Sequence, residues 1–126
     1  QPATVDRGAY WEGAVTTFLQ AKGYHLLERN FRGPHGEIDI ITEQAGRIVF
    51  IEVKARRSAA YGMPYEAVTP KKQKAIIATA EVFLYQRGWS DQKEVRYDII
   101  SVLYPKNAAP QITHIEDAFR VEDPLD

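Results

Sequence analysis

The sequence predicts an α/β domain: a mixed β-sheet flanked by helices, in the order α-β-β-β-α-β. Three observations predict it. Two stretches, 8–22 and 70–87, carry apolar residues at helical spacing. Residues 36–54 read as two apolar strands at a period of two, joined by a loop containing a Gly. Further strand-like runs lie at 24–31, before this pair, and at 95–103, after the second helix. Helices and strands in that order need a sheet to pack against.

Asp6 is a plausible N-cap for the first helix. Trp11, Ala14, Val15, Phe18 and Leu19 form its apolar stripe, and Gly23 is a fitting stop. Gly13 inside it should cost ~1 kcal/mol relative to Ala, and close packing is the one reason the sequence suggests. Leu26 and Leu27 are the apolar centre of the first strand, and Arg32 to Gly36 is a turn. In the central hairpin, a loop of residues 44–47 sets Glu43 opposite Ile48, Ile41 opposite Phe50, Asp39 opposite Glu52 and Glu37 opposite Lys54. Ala55 to Pro64 loses periodicity and reads as a loop. Thr69 caps the second helix with Pro70 at its first position, Ile76, Ile77, Ala80, Phe83 and Leu84 make its buried face, and Gly88 ends it. VRYDIISVL is the next strand, 111–115 a short edge strand, and the acidic end a turn or short helix.

At 126 residues this is one domain, with residues 1–7 and 120–126 as loose ends. The sequence shows no apolar run of membrane-spanning length and no signal-peptide pattern, so no membrane partner is expected. With no Cys there are no disulfides, thiolate ligands or Cys nucleophiles, which suits a cytoplasmic protein. A net charge of −1 hides an asymmetry. Residues 54–74 hold six cations against Glu66 alone, whereas the stretch from 111 onward holds five acids against Arg120.

The chemistry concentrates on the hairpin. Directly opposed side chains have Cβ atoms roughly 4.5–5.5 Å apart, where like charges are destabilising. Asp39 facing Glu52 is therefore a liability unless a divalent cation lies between them. Hard cations such as Mg²⁺ or Mn²⁺ take carboxylate oxygens, and the Val53 carbonyl offers another. Lys54 projects to the same face, where it can orient or deprotonate a water or stabilise charge on a phosphate. These are the parts of metal-assisted phosphodiester hydrolysis. Each part also has a plain reading: Glu-x-Lys on a strand is commonly a surface ion pair, and Asp39 an exposed strand residue. Glu12, beside the helix stripe, reads on its own as solvated.

Lys71, Lys72 and Lys74 occupy the first turns of a helix, where the macrodipole favours anions. With Arg56 and Arg57 they read as a surface that tracks a nucleic-acid backbone, with a solvated cluster as the alternative. Tyr61 and Tyr65 fit either base stacking or packing. His25 and His114 read as structural, and His35, in the turn beside the motif, as a possible substrate contact. Glu37 is a possible accessory acid.

The motifs just quoted resemble the YraN family of small bacterial proteins along nearly the whole chain: Gly8 and Glu12; Gly23-Tyr24 and Asn30; Gly36-Glu-Ile-Asp39; Val49-Phe-Ile-Glu-Val-Lys54; Tyr61-Gly62 and Pro64; Glu66-Ala-Val68 with Lys71-Lys72; Arg96-Tyr-Asp98; and His114-Ile115. The resemblance implies a restriction-endonuclease-like fold, similar to Holliday-junction resolvases. By it Glu12 becomes a fourth acidic member of the site, Asp39 and Glu52 the metal ligands and Lys54 the catalytic lysine. It also implies DNA as substrate, branched DNA included, and a homodimer. Two other readings stay open at this stage: a non-catalytic nucleic-acid-binding module on the same fold, and a protein-interaction domain using the acidic tail.

Overall fold

A computed structural model describes residues 7–121. The elements are α1 (Arg7–Ala21), β1 (His25–Gly33), β2 (Gly36–Gln44), β3 (Arg47–Arg56), a 3₁₀ turn at Pro64–Ala67, α2 (Pro70–Gln86), β4 (Glu94–Leu103) and β5 (Gln111–Phe119). They build one five-stranded sheet in the order β1-β2-β3-β4-β5. Only β3 and β4 run parallel, joined by the α2 crossover, and the other neighbours are antiparallel. No helix among the described residues is long and apolar enough to cross a membrane.

Each face of the sheet carries one helix. Trp11, Val15 and Leu19 of α1 pack on Ile40, Val49, Ile51, Ile100 and Val102. Ile76, Ile77, Ala80, Phe83 and Leu84 of α2 pack on Ile41, Ile48, Phe50 and Ile99. The neighbouring residues Ile48 to Ile51 thus divide between the two cores, as the strand period requires. β3 is central and buried on both faces.

Both helices stop where their glycines demand. The amide of Gly23 donates to the Gln20 carbonyl and that of Tyr24 to Leu19, while Gly88 and Trp89 repeat the pattern on Tyr85 and Leu84. These are Schellman closures, with Gly23 (φ 89°) and Gly88 (φ 72°) in the left-handed region. Thr69 Oγ1 accepts the Lys72 amide at 3.3 Å, the expected cap of α2. The expected cap at Asp6 lies outside the described residues.

Four local expectations are corrected. The hairpin keeps its register, Glu43 opposite Ile48 and Ile41 opposite Phe50, but Gln44 still pairs with Arg47. The loop is therefore only Ala45 and Gly46, both at positive φ (53° and 82°), the short turn that suits strand twist. The apolar anchor of β1 is Phe31, buried under α2, whereas Leu26 is exposed. β5 runs to Phe119, so Glu116 and Asp117 belong to a strand and not to a free acidic tail. A break in register opposite Tyr97–Ile99, with Asp117 at φ 55°, interrupts the alternation that would have announced it.

The fourth correction concerns Gly13. A Cβ built there meets nothing within 4 Å, so close packing does not explain it. Gly13→Ala is expected to raise the unfolding free energy by roughly 0.5–1 kcal/mol through the lost backbone entropy of glycine alone. Urea denaturation at neutral pH measures this, and a destabilised variant would mean that α1 meets a constraint at this position.

Candidate functional site

The site forms where β2 changes sides. The β2–β3 ladder ends at Ile40–Ile51, and strict alternation would put Ile38 and Ile40 on one face. Instead Ile38 packs in the α2 core and Ile40 in the α1 core. The chain rolls over at Asp39. Asn30 of β1 falls opposite, between the pairs Arg29–Ile40 and Phe31–Ile38, and adopts a left-handed φ of 54°. The roll turns the Asp39 carboxylate toward β3, where Oδ2 accepts the Val53 amide at 2.8 Å. A side chain thereby takes the place of a strand carbonyl, and it lies within reach of both helix layers.

Glu52, the residue before Val53, is only 4% exposed. Its Oε2 lies 3.6 Å from Lys54 Nζ and 3.6 Å from Lys72 Nζ. Its Oε1 is buried and has no hydrogen-bond partner. Burial, then the negative charge of Asp39, push the Glu52 carboxyl up to about 7 against the opposing pull of Lys72 and Lys54. From the α1 side Glu12 reaches the same place. Burial and then Asp39 push it, too, up to about 7, with the Arg29 guanidinium opposing from 3.8 Å. Asp39 is itself raised by burial, while the Val53 amide, a hydrogen bond with Glu52 and the charge of Lys72 hold it down. Glu12, Asp39 and Glu52 are one electrostatic unit centred on Asp39.

Lys54 joins this cluster as the strand period predicts. Lys72 does so unexpectedly, because the sequence places it with Lys71 and Lys74 on an outward surface. One helical turn before the buried Ile76, it points at the sheet, whereas Lys71 and Lys74 are exposed. Arg56 is half-buried, and exposed Arg57 lines a hollow of about 400 Å³ with Tyr104 and Lys106. Glu37 does not face Lys54. With the ladder parted at Asp39 it turns to its β1 partner Arg32, 3.6 Å away, although its charge still bears on Glu12 and Asp39. His35 is exposed at the tip of the β1–β2 turn, and no described contact joins it to the acids. Val53 enters through its amide, and no described contact brings in the carbonyl expected as a ligand.

Arg29 was missed. It sits in an edge strand amid Glu28, Asn30 and Arg32, where cations look solvated, yet its Nε is buried without a partner. Its pairing with Ile40, next to Asp39, brings it there, and the register shift between Leu26 and Glu28 hides that pairing from the sequence.

Among the described residues no three His, Cys, Asp or Glu side chains close into a ready metal cage. Mg²⁺ does not need one, since it commonly takes one or two carboxylates with waters and phosphate. The unpartnered Glu52 Oε1 beside Asp39 is an all-oxygen donor pair that fits such an ion. A hollow of about 1010 Å³ lies away from these acids, between α2 and the sheet near Leu84, Tyr97 and Phe119.

The five-stranded mixed sheet with a helix on each face, and the acids at the point where its strands part, place the protein in the restriction-endonuclease-like class of α/β fold. The chain belongs to the uncharacterised protein family UPF0102, which it matches over residues 11–102, a span that includes Glu12, Asp39, Glu52, Lys54 and Lys72. This is the YraN family that the sequence motifs resemble. It is 45% identical to a UPF0102 protein of Geotalea daltonii over 89% of this chain and 87% of that one. A UPF0102 protein of Persephonella marina is 41% identical, over 92% and 95% of the two chains. One of Nitrosococcus oceani is 39% identical, over 97% and 98%.

Proposed function

We propose that this protein is a metal-dependent endonuclease that hydrolyses phosphodiester bonds of DNA, branched and Holliday-junction DNA included, with Mg²⁺ or Mn²⁺ as cofactor. The observation that carries the reading is Glu52: a buried carboxyl with an unpartnered oxygen, set against Asp39 on the strand that also bears Lys54. A fold gains nothing from that grouping by itself.

Asp39 and Glu52 would hold the ion, which when bound supplies positive charge to the non-bridging phosphate oxygens. The Val53 amide fixes the Asp39 carboxylate through Oδ2. Lys54, one strand step from Glu52, is placed to orient the attacking water and take part in its proton transfer. Glu12 assists from α1, and Arg29 limits the negative charge there. Lys72 supports charge on the phosphate, while Arg56, Arg57, Lys71 and Lys74 grip the neighbouring backbone. By the family resemblance the working form is a two-fold homodimer, which light scattering in solution checks.

The test is cleavage of junction, flap and linear DNA with Mn²⁺. Wild type is expected to cut, Asp39→Ala to lose cutting, and Lys54→Met to fall by roughly 10²–10⁴-fold, as for removal of a proton-transfer group. Equal, metal-independent background from wild type and Asp39→Ala would defeat the proposal.

One observation favours a second reading, a non-catalytic nucleic-acid-binding module. Lys54 and Lys72 both approach the same Glu52 oxygen, so the acid has internal counter-charges without any metal. That reading predicts salt-sensitive DNA binding that survives Asp39→Ala and Glu52→Ala, with no cleavage.

A further inference from the structure

We propose that Tyr61 is a stacking platform for an unpaired base, so that the site prefers DNA carrying an extrahelical or single-stranded base beside the bound backbone. This rests on the nucleic-acid reading above and adds a substrate feature to it.

Tyr61 is 95% exposed. A lone exposed aromatic is ordinary, and Tyr85 on α2 is another. What sets Tyr61 apart is how it is held and where. The segment from β3 to α2, residues 57–69, is flanked by Lys54 near the end of β3 and Lys72 in the first turn of α2, and both lysines approach the same Glu52 oxygen. Both ends of the segment are thus anchored on the acidic cluster.

The segment is built as a rigid arm. The Gly62 amide donates to the Ala59 carbonyl at 3.1 Å, the Ala60 amide to Ser58 Oγ at 3.3 Å, and the Glu66 amide to the Met63 carbonyl at 3.0 Å. Pro64, at the start of the 3₁₀ turn, is buried. Gly62 has φ +113° and lies so close to Glu66 that an added Cβ would sit 2.7 Å from its Oε1. The Glu66 carboxyl is the movable end of an exposed side chain, so it is the φ of +113° that favours glycine there, and the residue before it is presented outward from the turn. An exposed ring on a pre-ordered turn loses little freedom when a ligand covers it.

The charges around it suit one class of ligand. Arg56 and Arg57 precede the turn and Lys71 follows it, and Glu66 is the one acid between Val53 and Glu81. Cations that track phosphates, interleaved with an aromatic face, are how single-stranded nucleic acid is held. In an intact duplex each base face is covered by its neighbours, so a ring at Tyr61 has a partner only where a base is unpaired.

The experiment measures binding of the full chain, in EDTA so that no cleavage intervenes, by fluorescence anisotropy. The probes are a fully paired duplex and the same duplex with a short flap containing 2-aminopurine. Tyr61→Ala is expected to weaken flap binding by about 5- to 150-fold, the alanine cost of one base–aromatic stack, and to leave duplex binding unchanged. Tyr61→Phe keeps the wild-type affinity, and 2-aminopurine emission is quenched by wild type and by Phe but not by Ala. Equal losses on both probes, or none on either, overturn the stacking role while leaving the nucleic-acid reading standing. Wild type that binds neither probe at low salt overturns both. Absence of cleavage with Mn²⁺ in the separate assay bears on the nuclease reading alone.

Discussion

Glu52→Gln will yield a protein that cuts no DNA and yet unfolds at higher urea than wild type at pH 8 in EDTA. The reason is the position of Glu52 in the folded chain, with its carboxyl pushed up to about 7 by burial and by Asp39. In the unfolded chain it titrates near the ordinary glutamate value of 4.5. A raised folded value means that the proton favours the fold. Below pH 4.5 both states hold the proton and the contribution is full. Between 4.5 and 7 the unfolded chain gives its proton up while the folded one keeps it, and stability falls. Above 7 the loss is complete and levels off. Glutamine has no proton to lose, so its advantage over wild type is greatest at pH 8 and nearly gone at pH 4, with a size on the order of 3 kcal/mol.

The proposed cation between the acids would reverse the comparison. Mn²⁺ should raise the unfolding midpoint of wild type by mass action, about 2.7 kcal/mol at a hundred times the dissociation constant, and should do little for Glu52→Gln. Paired urea curves at pH 4 and pH 8, with EDTA and with Mn²⁺, separate these effects. A variant no more stable than wild type at pH 8, with the same response to Mn²⁺, would show that the acids are comfortable as they stand and that no ion belongs there.

The parts of this site that local sequence patterns dictate were legible, and the parts that depend on a neighbouring strand were not. Helix caps and stops answer to one or two residues, so Thr69, Pro70, Gly23 and Gly88 could be read directly. The hairpin register follows from alternation, so Ile41 and Phe50 could be paired. The roll of β2 at Asp39 could not be foreseen. It is set against the left-handed Asn30 of β1, and it turned an expected row of facing charges into a carboxylate that caps Val53. Lys72 was counted with its neighbours because a run of lysines looks uniform in one dimension. Its i+4 relation to Ile76 sends it inward. Arg29 went unnoticed because its partner Glu12 is on another element, and only the fold brings the two within 3.8 Å.

The largest loss of stability is expected from Asp98→Ala, far from the acids in sequence but tied to them through α1. Asp98 is fully buried. Arg96 donates to both of its oxygens at 2.8 Å, His114 Nε2 lies 2.7 Å from Oδ2, and the Asp117 amide donates to Oδ1 at 3.0 Å. Burial pushes this carboxyl up, but the hydrogen bonds from His114, Arg96 and the Asp117 amide outweigh it and hold the group below the usual aspartate range. The sign is therefore opposite to that of Glu52. The contribution is fully present above the ordinary aspartate value and is lost as the pH falls through the depressed folded value, so it belongs to the acid limb of the stability curve. Removing the carboxylate leaves the mostly buried His114 without its partner and Arg96 with only the half-exposed Glu116, 3.8 Å away, which costs about 3–5 kcal/mol for a buried pair, or roughly 10–20 °C in Tm. The same network holds the end of α1. Arg96 also donates to the Tyr24 hydroxyl at 2.7 Å, and Lys22 Nζ lies 2.8 Å from His114 Nδ1. Both residues directly follow the helix that carries Glu12. Calorimetry of Asp98→Ala at pH 7 and pH 3 is the check. Wild type's advantage over the variant should begin to shrink at the lower pH, where the unfolded chain starts to take up the proton that the folded carboxylate still refuses. A cost below about 1 kcal/mol at pH 7, within the range of an exposed ion pair, would mean that the apolar stripe of Trp11, Val15 and Leu19 seats α1, and with it Glu12, without help from Asp98.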